Sequence, residues 1–281
     1  MATLLGRHLM GLVDTLRIEP TARRVRAALD GHPVLDTTDA FLVWEPRRVV
    51  PMYAVPPADI AAELVPTTPV DPPPSLPPVL GPVNFAWHTT PGQDHDLLVA
   101  GRTLPRVAFT PADPDLGGRV VLEWAPFAWV EEAQPVTGHP HDPFKRIDVL
   151  PSERHVVVRL GGVTLADTRR AVAVHETHLP VRWYVPHDDV VTELLVGSPS
   201  TSTCAYKGHA IYVSLAPGSV PGVAEGEGVD LAWTYTHPLA EVSAIRGMVC
   251  FYAERTDLEL DGLAVPRPVT PWSSPADQER F

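Results

Sequence analysis

The sequence predicts a mainly β protein built from two tandem copies of one domain, with short helices and a helix at the N-terminus. Three observations predict it. Beyond residue 20 the chain runs in short stretches rich in Val, Leu and aromatic residues, broken by Gly, Pro and Asp. That is the punctuation of strands and turns. The 33 prolines among 281 residues are too many for long helices and suit edge strands and irregular connections. The third observation is an internal repeat. Residues 25–64 read VRAALDGHPVLDTTDAFLVWEPRRVVPMYAVPPADIAAEL, and residues 156–194 read VVVRLGGVTLADTRRAVAVHETHLPVRWYVPHDDVVTEL. Asp36-Thr37 aligns with Asp167-Thr168, Glu45 with Glu176, Val55-Pro56 with Val185-Pro186, Asp59 with Asp189 and Leu64 with Leu194.

The elements follow in chain order. Within residues 1–20, Leu4, Leu5, Leu9, Leu12, Val13 and Leu16 recur at helical spacing. They predict an amphipathic helix docked on the body, because its polar face lacks the Lys and Arg of a membrane-surface helix. The first domain, 21–136, opens with a hairpin at Asp30-Gly31, where positive φ is cheap. It then passes into the proline-dense stretch 66–82, which reads as an extended loop or spacer. Residues 137–151 read as an ordered connection between the domains, although the polar density of Gly138 to Asp148 would also suit a site segment. The second domain, 152–266, has its hairpin at Gly161-Gly162 and an alternating strand from Ala171 to Glu176. The acidic turn Pro186 to Asp189 is expected to cap a short helix over Val190 to Leu195. Gly118 to Glu132 corresponds more weakly to Gly247 to Leu260, and residues 267–281 read as an exposed C-terminal tail.

Bulk properties exclude several functions. The composition is 44% hydrophobic and 20% charged, that of a globular chain. Net charge is −12, and basic residues cluster no further than doublets such as Arg23-Arg24, Arg47-Arg48 and Arg169-Arg170. A nucleic-acid partner is therefore not expected. No apolar run approaches the ~18 residues of a membrane span, and the N-terminus lacks a leader pattern. Two cysteines are too few for a disulfide framework, so a cytoplasmic protein with reduced thiols is expected. The oligomeric state is left open.

The chemistry-bearing residues gather in the second copy. Cys204 lies in a polar segment ahead of a strand, with Lys207 three residues on and Gly208 after it. If that segment turns, the ammonium approaches the sulfur and favours the thiolate. The bland alternative is a small core residue that happens to be Cys, and Cys250, within an alternating strand, is read that way. Lys207 is either a solvated lysine or a charge held by a constrained backbone. Glu176, in an otherwise apolar strand, either faces solvent at an edge or is drawn inward, with Lys207 as its natural partner; a structural ion pair would explain both. Tyr184, Tyr206, Trp233 and Tyr235 are core or sheet-surface aromatics, or the walls of a pocket for a flat ligand. No metal is expected, because His175 and His178 on a strand point to opposite faces. No phosphate-binding loop or nucleophile elbow occurs, and no cofactor is implied.

The second copy resembles the DUF427 family, a domain of unknown function. The resemblance rests on Gly161-Gly162, Ala166-Asp167-Thr168-Arg169-Arg170, His175-Glu176-Thr177, Leu179-Pro180 and Trp183-Tyr184-Val185-Pro186. It continues through Asp189-Val190, Thr203-Cys204-Ala205-Tyr206-Lys207-Gly208, Ala232-Trp233-Thr234-Tyr235, Pro238-Leu239 and Val249-Cys250-Phe251-Tyr252. The first copy looks like a degenerate member, lacking the Cys-x-Tyr-Lys-Gly segment, so the chain resembles a two-copy form. The resemblance implies a small curved fold similar to the β-tent domains, some of which hold zinc and some of which reduce methionine sulfoxide. Zinc sites there use paired Cys-x-x-Cys knuckles, which this chain lacks.

The reading is a small-molecule site in the second copy. Cys204, Lys207 and Glu176 are its candidate catalytic residues, and Tyr184, Tyr206, Trp233, Tyr235 and Gly208 are its candidate ligand-binding residues. A non-catalytic binding or interaction module is the alternative. A thiol-dependent reductase, with Cys250 resolving, is another.

Overall fold

The computed structural model describes residues 2–71, 73, 76–77, 79–224, 226–270 and 273. The chain divides into two compact units, residues 1–142 and 143–281. The first unit contains β1 (Arg17–Thr21), β2 (Val25–Leu29), β3 (His32–Thr37), β4 (Ala40–Trp44), β5 (Met52–Val55) and β6 (Glu63–Pro66). It continues with β7 (Gly92–Val99), β8 (Arg102–Pro111), β9 (Val120–Leu122), β10 (Ala128–Glu131) and β11 (Gln134–Val136). In the second unit come β12 (Ile147–Pro151), β13 (Val156–Leu160), β14 (Val163–Thr168), β15 (Val172–Glu176), β16 (Arg182–Val185) and β17 (Leu195–Cys204). The last five strands are β18 (Gly208–Leu215), β19 (Ala232–Thr234), β20 (Val249–Phe251), β21 (Asp257–Leu260) and β22 (Leu263–Val265).

The repeat is complete at the level of topology. The seven-stranded sheet of the first unit has the order β1-β4-β5-β9-β8-β7-β6, and that of the second β12-β15-β16-β20-β19-β18-β17. The two four-stranded sheets, β11-β10-β2-β3 and β14-β13-β21-β22, match in the same way. Every strand of one unit thus has a counterpart in the other, in chain order. All pairings between named strands are antiparallel. Similarity that is faint in sequence beyond residue 66 therefore persists in fold to the end of each copy.

Local chemistry explains the turns. Asp30-Gly31 and Gly161-Gly162 both take positive φ in two-residue hairpins, as the sequence predicts and as type I′ turns require. In each unit Thr37 or Thr168 donates its hydroxyl to Asp59 or Asp189, clamping the acidic turn to the hairpin. The helix expected over 190–195 is absent. Two 3-10 turns, His187–Asp189 and Thr192–Leu194, take its place, and β17 begins at Leu195. Asp189 is already committed to Thr168 and Arg170 and does not cap a helix.

Each large sheet has two apolar faces. Alternation along β19 and β20 sends Ala232, Val249 and Phe251 toward the four-stranded sheet, where they meet Val156, Val158, Leu258 and Leu260. The same alternation sends Trp233 and Cys250 to the opposite face, with Val172, Val174 and Tyr184. Val242, Ile245 and Met248, from the connection before β20, close that second face.

Three boundaries differ from expectation. The N-terminal helix spans only Leu5–Met10, followed by a 3-10 turn at Gly11–Asp14. It buries none of its residues, and Leu4 and Leu5 stand 68% and 65% exposed. Six residues make under two turns, too few to bury a stripe. The segment is instead tethered by β1, which pairs with β4. The connection expected over 137–151 is in part a strand: β12 pairs with β15 along its length. The tail expected over 267–281 lies largely outside the described residues. Of its described members Arg267 and Val269 are exposed, whereas Thr270 and Ser273 are buried, with Thr270 donating to the buried carboxylate of Glu254. The proline-dense stretch 66–82 is likewise only partly described.

Candidate functional site

The site lies where β15 ends, between the lead-in to β12 and the turn joining β17 to β18. Val172, Val174 and Glu176 share one face of β15. The first two enter the apolar cluster, so Glu176 is carried inward at its margin and is only 7% exposed. A carboxylate in that position needs cations. Lys207 Nζ donates to Glu176 Oε2 at 2.5 Å, and Lys145 Nζ lies 3.0 Å from Oε1. Burial pushes the Glu176 pKa up, but Lys207 and Lys145 outweigh it and hold the carboxyl below its ordinary value.

Backbone geometry delivers both lysines. Cys204 pairs with Gly208 across the β17–β18 hairpin, which leaves Ala205, Tyr206 and Lys207 as its turn. Gly208 adopts φ +92°, a conformation that L side chains rarely enter. The turn is pinned from outside by the Leu239 amide, which donates to the Lys207 carbonyl at 3.2 Å. Lys207 is thereby 8% exposed. Burial lowers its pKa, but Cys204 and Glu176, each charge-coupled and hydrogen-bonded to the ammonium, raise it above the ordinary lysine value. Lys145 arrives two residues ahead of Ile147, which pairs with Glu176. That lead-in is fixed by Arg146 and Thr177: the Arg146 amide donates to Thr177 Oγ1 at 2.9 Å, and the Thr177 amide donates to the Arg146 carbonyl at 3.0 Å.

The structure brings Cys204, Lys207, Glu176, Tyr206 and Gly208 together. Cys204 is half-buried, and the half-buried Tyr206 ring has the Lys145 ammonium 6.0 Å from its centroid. The other three aromatics lie behind the site, in the core. Tyr184 is fully buried and accepts a 3.0 Å hydrogen bond from Trp233 Nε1, and Tyr235 packs in the same cluster. Burial raises the pKa of Tyr184 well above the ordinary tyrosine value, with Cys250 and Tyr235 adding to the shift. Burial, followed by the charge of Cys204, raises Tyr235 likewise. Cys250 is fully enclosed, and burial pushes its thiol up to about 12. The two cysteines are unpaired, and β18 and β19 stand between their strands.

Sequence reasoning missed Lys145, because it sits in a stretch read mainly as a connection; the polar density of that stretch was the available signal. It also missed a buried bidentate pair. Arg182 donates to both Glu254 oxygens at 2.7 Å, and its guanidinium stacks near the Trp233 and Tyr252 rings.

The matching position in the first unit is occupied differently. Glu45 directly follows β4, at the position that Glu176 holds as the last residue of β15, and it accepts from the Thr89 and Thr90 amides, the Thr90 hydroxyl and Arg48 Nε. His88 Nδ1 lies 2.9 Å from Glu45 and its Nε2 3.3 Å from Glu123 Oε1, with the ring stacked 3.7 Å from Phe109. Burial opposes a charged imidazole, but Glu123 and Glu45 outweigh it and raise His88 to about 9. Arg48 also donates to the Phe85 and Trp87 carbonyls. Two carboxylates and two cations thus close on one another. Counting from the strand register, Thr89-Thr90 stands where the second unit has Lys207-Gly208. Nothing in the sequence around His88 marks it, since its partners Glu45 and Glu123 come from the residues directly after β4 and β9.

Among the described residues no three His, Cys, Asp or Glu side chains are placed to hold a metal ion, and no helix is long and apolar enough to cross a membrane. A family model described as a domain of unknown function, DUF427, matches residues 17–72 and 148–262, together more than half of the chain. The two matches begin at Arg17, the first residue of β1, and at Asp148, the second of β12. Comparison with curated proteins finds no match.

Proposed function

The chain belongs to the DUF427 family, a domain of unknown function, and from that premise we propose that its second unit carries a small-molecule site in which Cys204 is the reactive thiol. One observation carries the reading: a half-buried thiol and a buried ammonium share a single tight turn, and the ammonium is held there by Glu176. An electropositive, partly accessible setting of this kind is what favours a thiolate nucleophile. Lys207 stabilises the sulfur's negative charge, Glu176 orients Lys207, and Tyr206 offers a flat wall. The available chemistry is attack by the Cys204 sulfur lone pair on an electrophilic carbon. A carbon–sulfur bond forms, and the displaced group leaves with its electron pair, or a carbonyl pair moves onto its oxygen. Both cysteines belong to the second unit, which supports confining the chemistry there.

The test is iodoacetamide labelling of the full-length protein at neutral pH, resolved by site with mass spectrometry. Cys204 is expected to label faster than a small model thiol. Lys207→Met is expected to slow it roughly tenfold, the effect of a unit charge a few ångströms away at an effective dielectric between protein and water. Lys207→Arg should restore much of the rate. Labelling no faster than the model thiol, and indifferent to Lys207→Met, would leave a non-catalytic binding or interaction module as the better reading. The reductase alternative asks Cys250 to resolve, and its complete enclosure gives that role no support.

A further inference from the structure

We propose that Lys145 sets the ligand class of this site, making it selective for a small anionic molecule with a carboxylate, or a group of like charge, beside the carbon that Cys204 attacks. The inference rests on the reading of Cys204 as the reactive thiol and adds to it the charge of the substrate. It starts from a count. Lys145 and Lys207 bring two positive charges to Glu176, which brings one negative charge, and among the described residues neither lysine has a second carboxylate within ion-pair distance. The cluster therefore carries a surplus positive charge at a largely buried position. The first unit shows that the fold does not demand this. At the same end of the corresponding strand, Glu45 and Glu123 balance His88 and Arg48, and Arg48 spends its remaining donors on backbone carbonyls.

The two lysines differ in what they have left to offer. Lys207 is committed to Glu176 and Cys204. Lys145 gives one contact to Glu176, and its side chain is 20% exposed. An ammonium has three donors, so Lys145 can still donate toward solvent, with the Tyr206 ring centroid 6.0 Å away. Once the Cys204 sulfur is bonded to carbon it carries no charge, so the surplus positive charge of the cluster stands in the product unless the incoming molecule brings a charge of its own. An anionic electrophile supplies it, and Lys145 is the partner placed to receive it.

Iodoacetate and iodoacetamide separate the two claims, because both alkylate sulfur by displacing iodide with its electron pair and they differ in one negative charge. The readout is the ratio of their rate constants at Cys204 in the full-length protein, divided by the same ratio for N-acetylcysteinamide. The corrected ratio is expected to exceed one by roughly three- to tenfold, as a net unit charge near the thiol implies. It should fall toward one in Lys145→Met, recover in Lys145→Arg, and shrink as added salt screens the site. Iodoacetamide labelling that proceeds while the corrected ratio stays at one, in wild type and Lys145→Met alike, would overturn the ligand class and leave the reactive thiol standing. Absence of iodoacetamide labelling in the folded protein would overturn both. Unfolded protein would also label with a corrected ratio near one, so Lys145→Met is read at a concentration of urea well below its unfolding transition, and recovery in Lys145→Arg assigns the loss to the charge.

Discussion

Raising the pH through the titration of His88 should destabilise the first unit by about 3 kcal/mol. Enclosed between Glu45 and Glu123, the imidazole is raised from 6.5 to about 9, and each pKa unit corresponds to about 1.4 kcal/mol of differential interaction. The folded state binds this proton more tightly than the unfolded chain. The contribution is therefore complete below about pH 6.5, declines as the pH rises, and is gone above about 9. Glu45, held at about 2 by the same contacts, reports the interaction from its other end: its share is present above 4.5 and lost as the pH falls through 2. The two shifts describe one network and are not summed. Nitrogen chemical shifts of the His88 ring would give the titration directly. Hydrogen exchange of the amides in β4 and β9, followed from pH 6 to 10 and corrected for intrinsic rates, would give the energy. His88→Gln should abolish the alkaline decline and cost about 3–5 kcal/mol at pH 6.5, since it leaves buried carboxylates short of a cation. A ring that titrates at or below 6.5, or an alkaline decline that survives in His88→Gln, would refute the argument.

Arg182→Met should lower stability by about 3–5 kcal/mol, because Glu254 would remain buried without its bidentate partner. Pairing it with Glu254→Leu should recover part of that loss in a urea titration, and a double variant weaker than the single one would show that the pair is more than a compensated charge. Gly208→Ala has room for its methyl group, with the nearest atom at 3.5 Å, but not the backbone freedom that φ +92° demands. A loss of about 1–3 kcal/mol is expected, together with slower iodoacetamide labelling of Cys204 as the turn shifts; unchanged labelling would separate the turn's geometry from the thiol's reactivity.

Much of the fold is legible in particular residues. Asp30-Gly31 and Gly161-Gly162 announce hairpins because positive φ is a local requirement that few residues meet. The paired Asp-Thr, Glu and Val-Pro positions identify the duplication because each does a structural task twice. The Thr37–Asp59 clamp recurs as Thr168–Asp189, and Glu45 and Glu176 stand where corresponding strands finish. The missed features all depend on partners distant along the chain. Lys145 reads as part of a connection until β12 places it beside Glu176, 31 residues on. Thr270 reads as tail until Glu254 needs another donor. The leucines of residues 4–12 show helical spacing, but spacing cannot say whether a partner surface exists, and these leucines stand exposed.

By itself the sequence determined the β class, the two copies and the hairpin turns, and it gathered Cys204, Tyr206, Lys207 and Gly208 into one five-residue segment with Cys204 at its head. Those follow from backbone preference, alternation and repetition, which act over neighbouring residues. Tertiary structure alone decided that Glu176 turns inward between two lysines, that Tyr184, Trp233 and Tyr235 are core, and that the first unit neutralises the equivalent position with His88 and Arg48. The physical reason is that a buried charge is settled by whichever groups the sheet order brings within a few ångströms. Arg48 is a near neighbour of Glu45, but His88, Lys145 and Lys207 come from segments far from the carboxylates they meet.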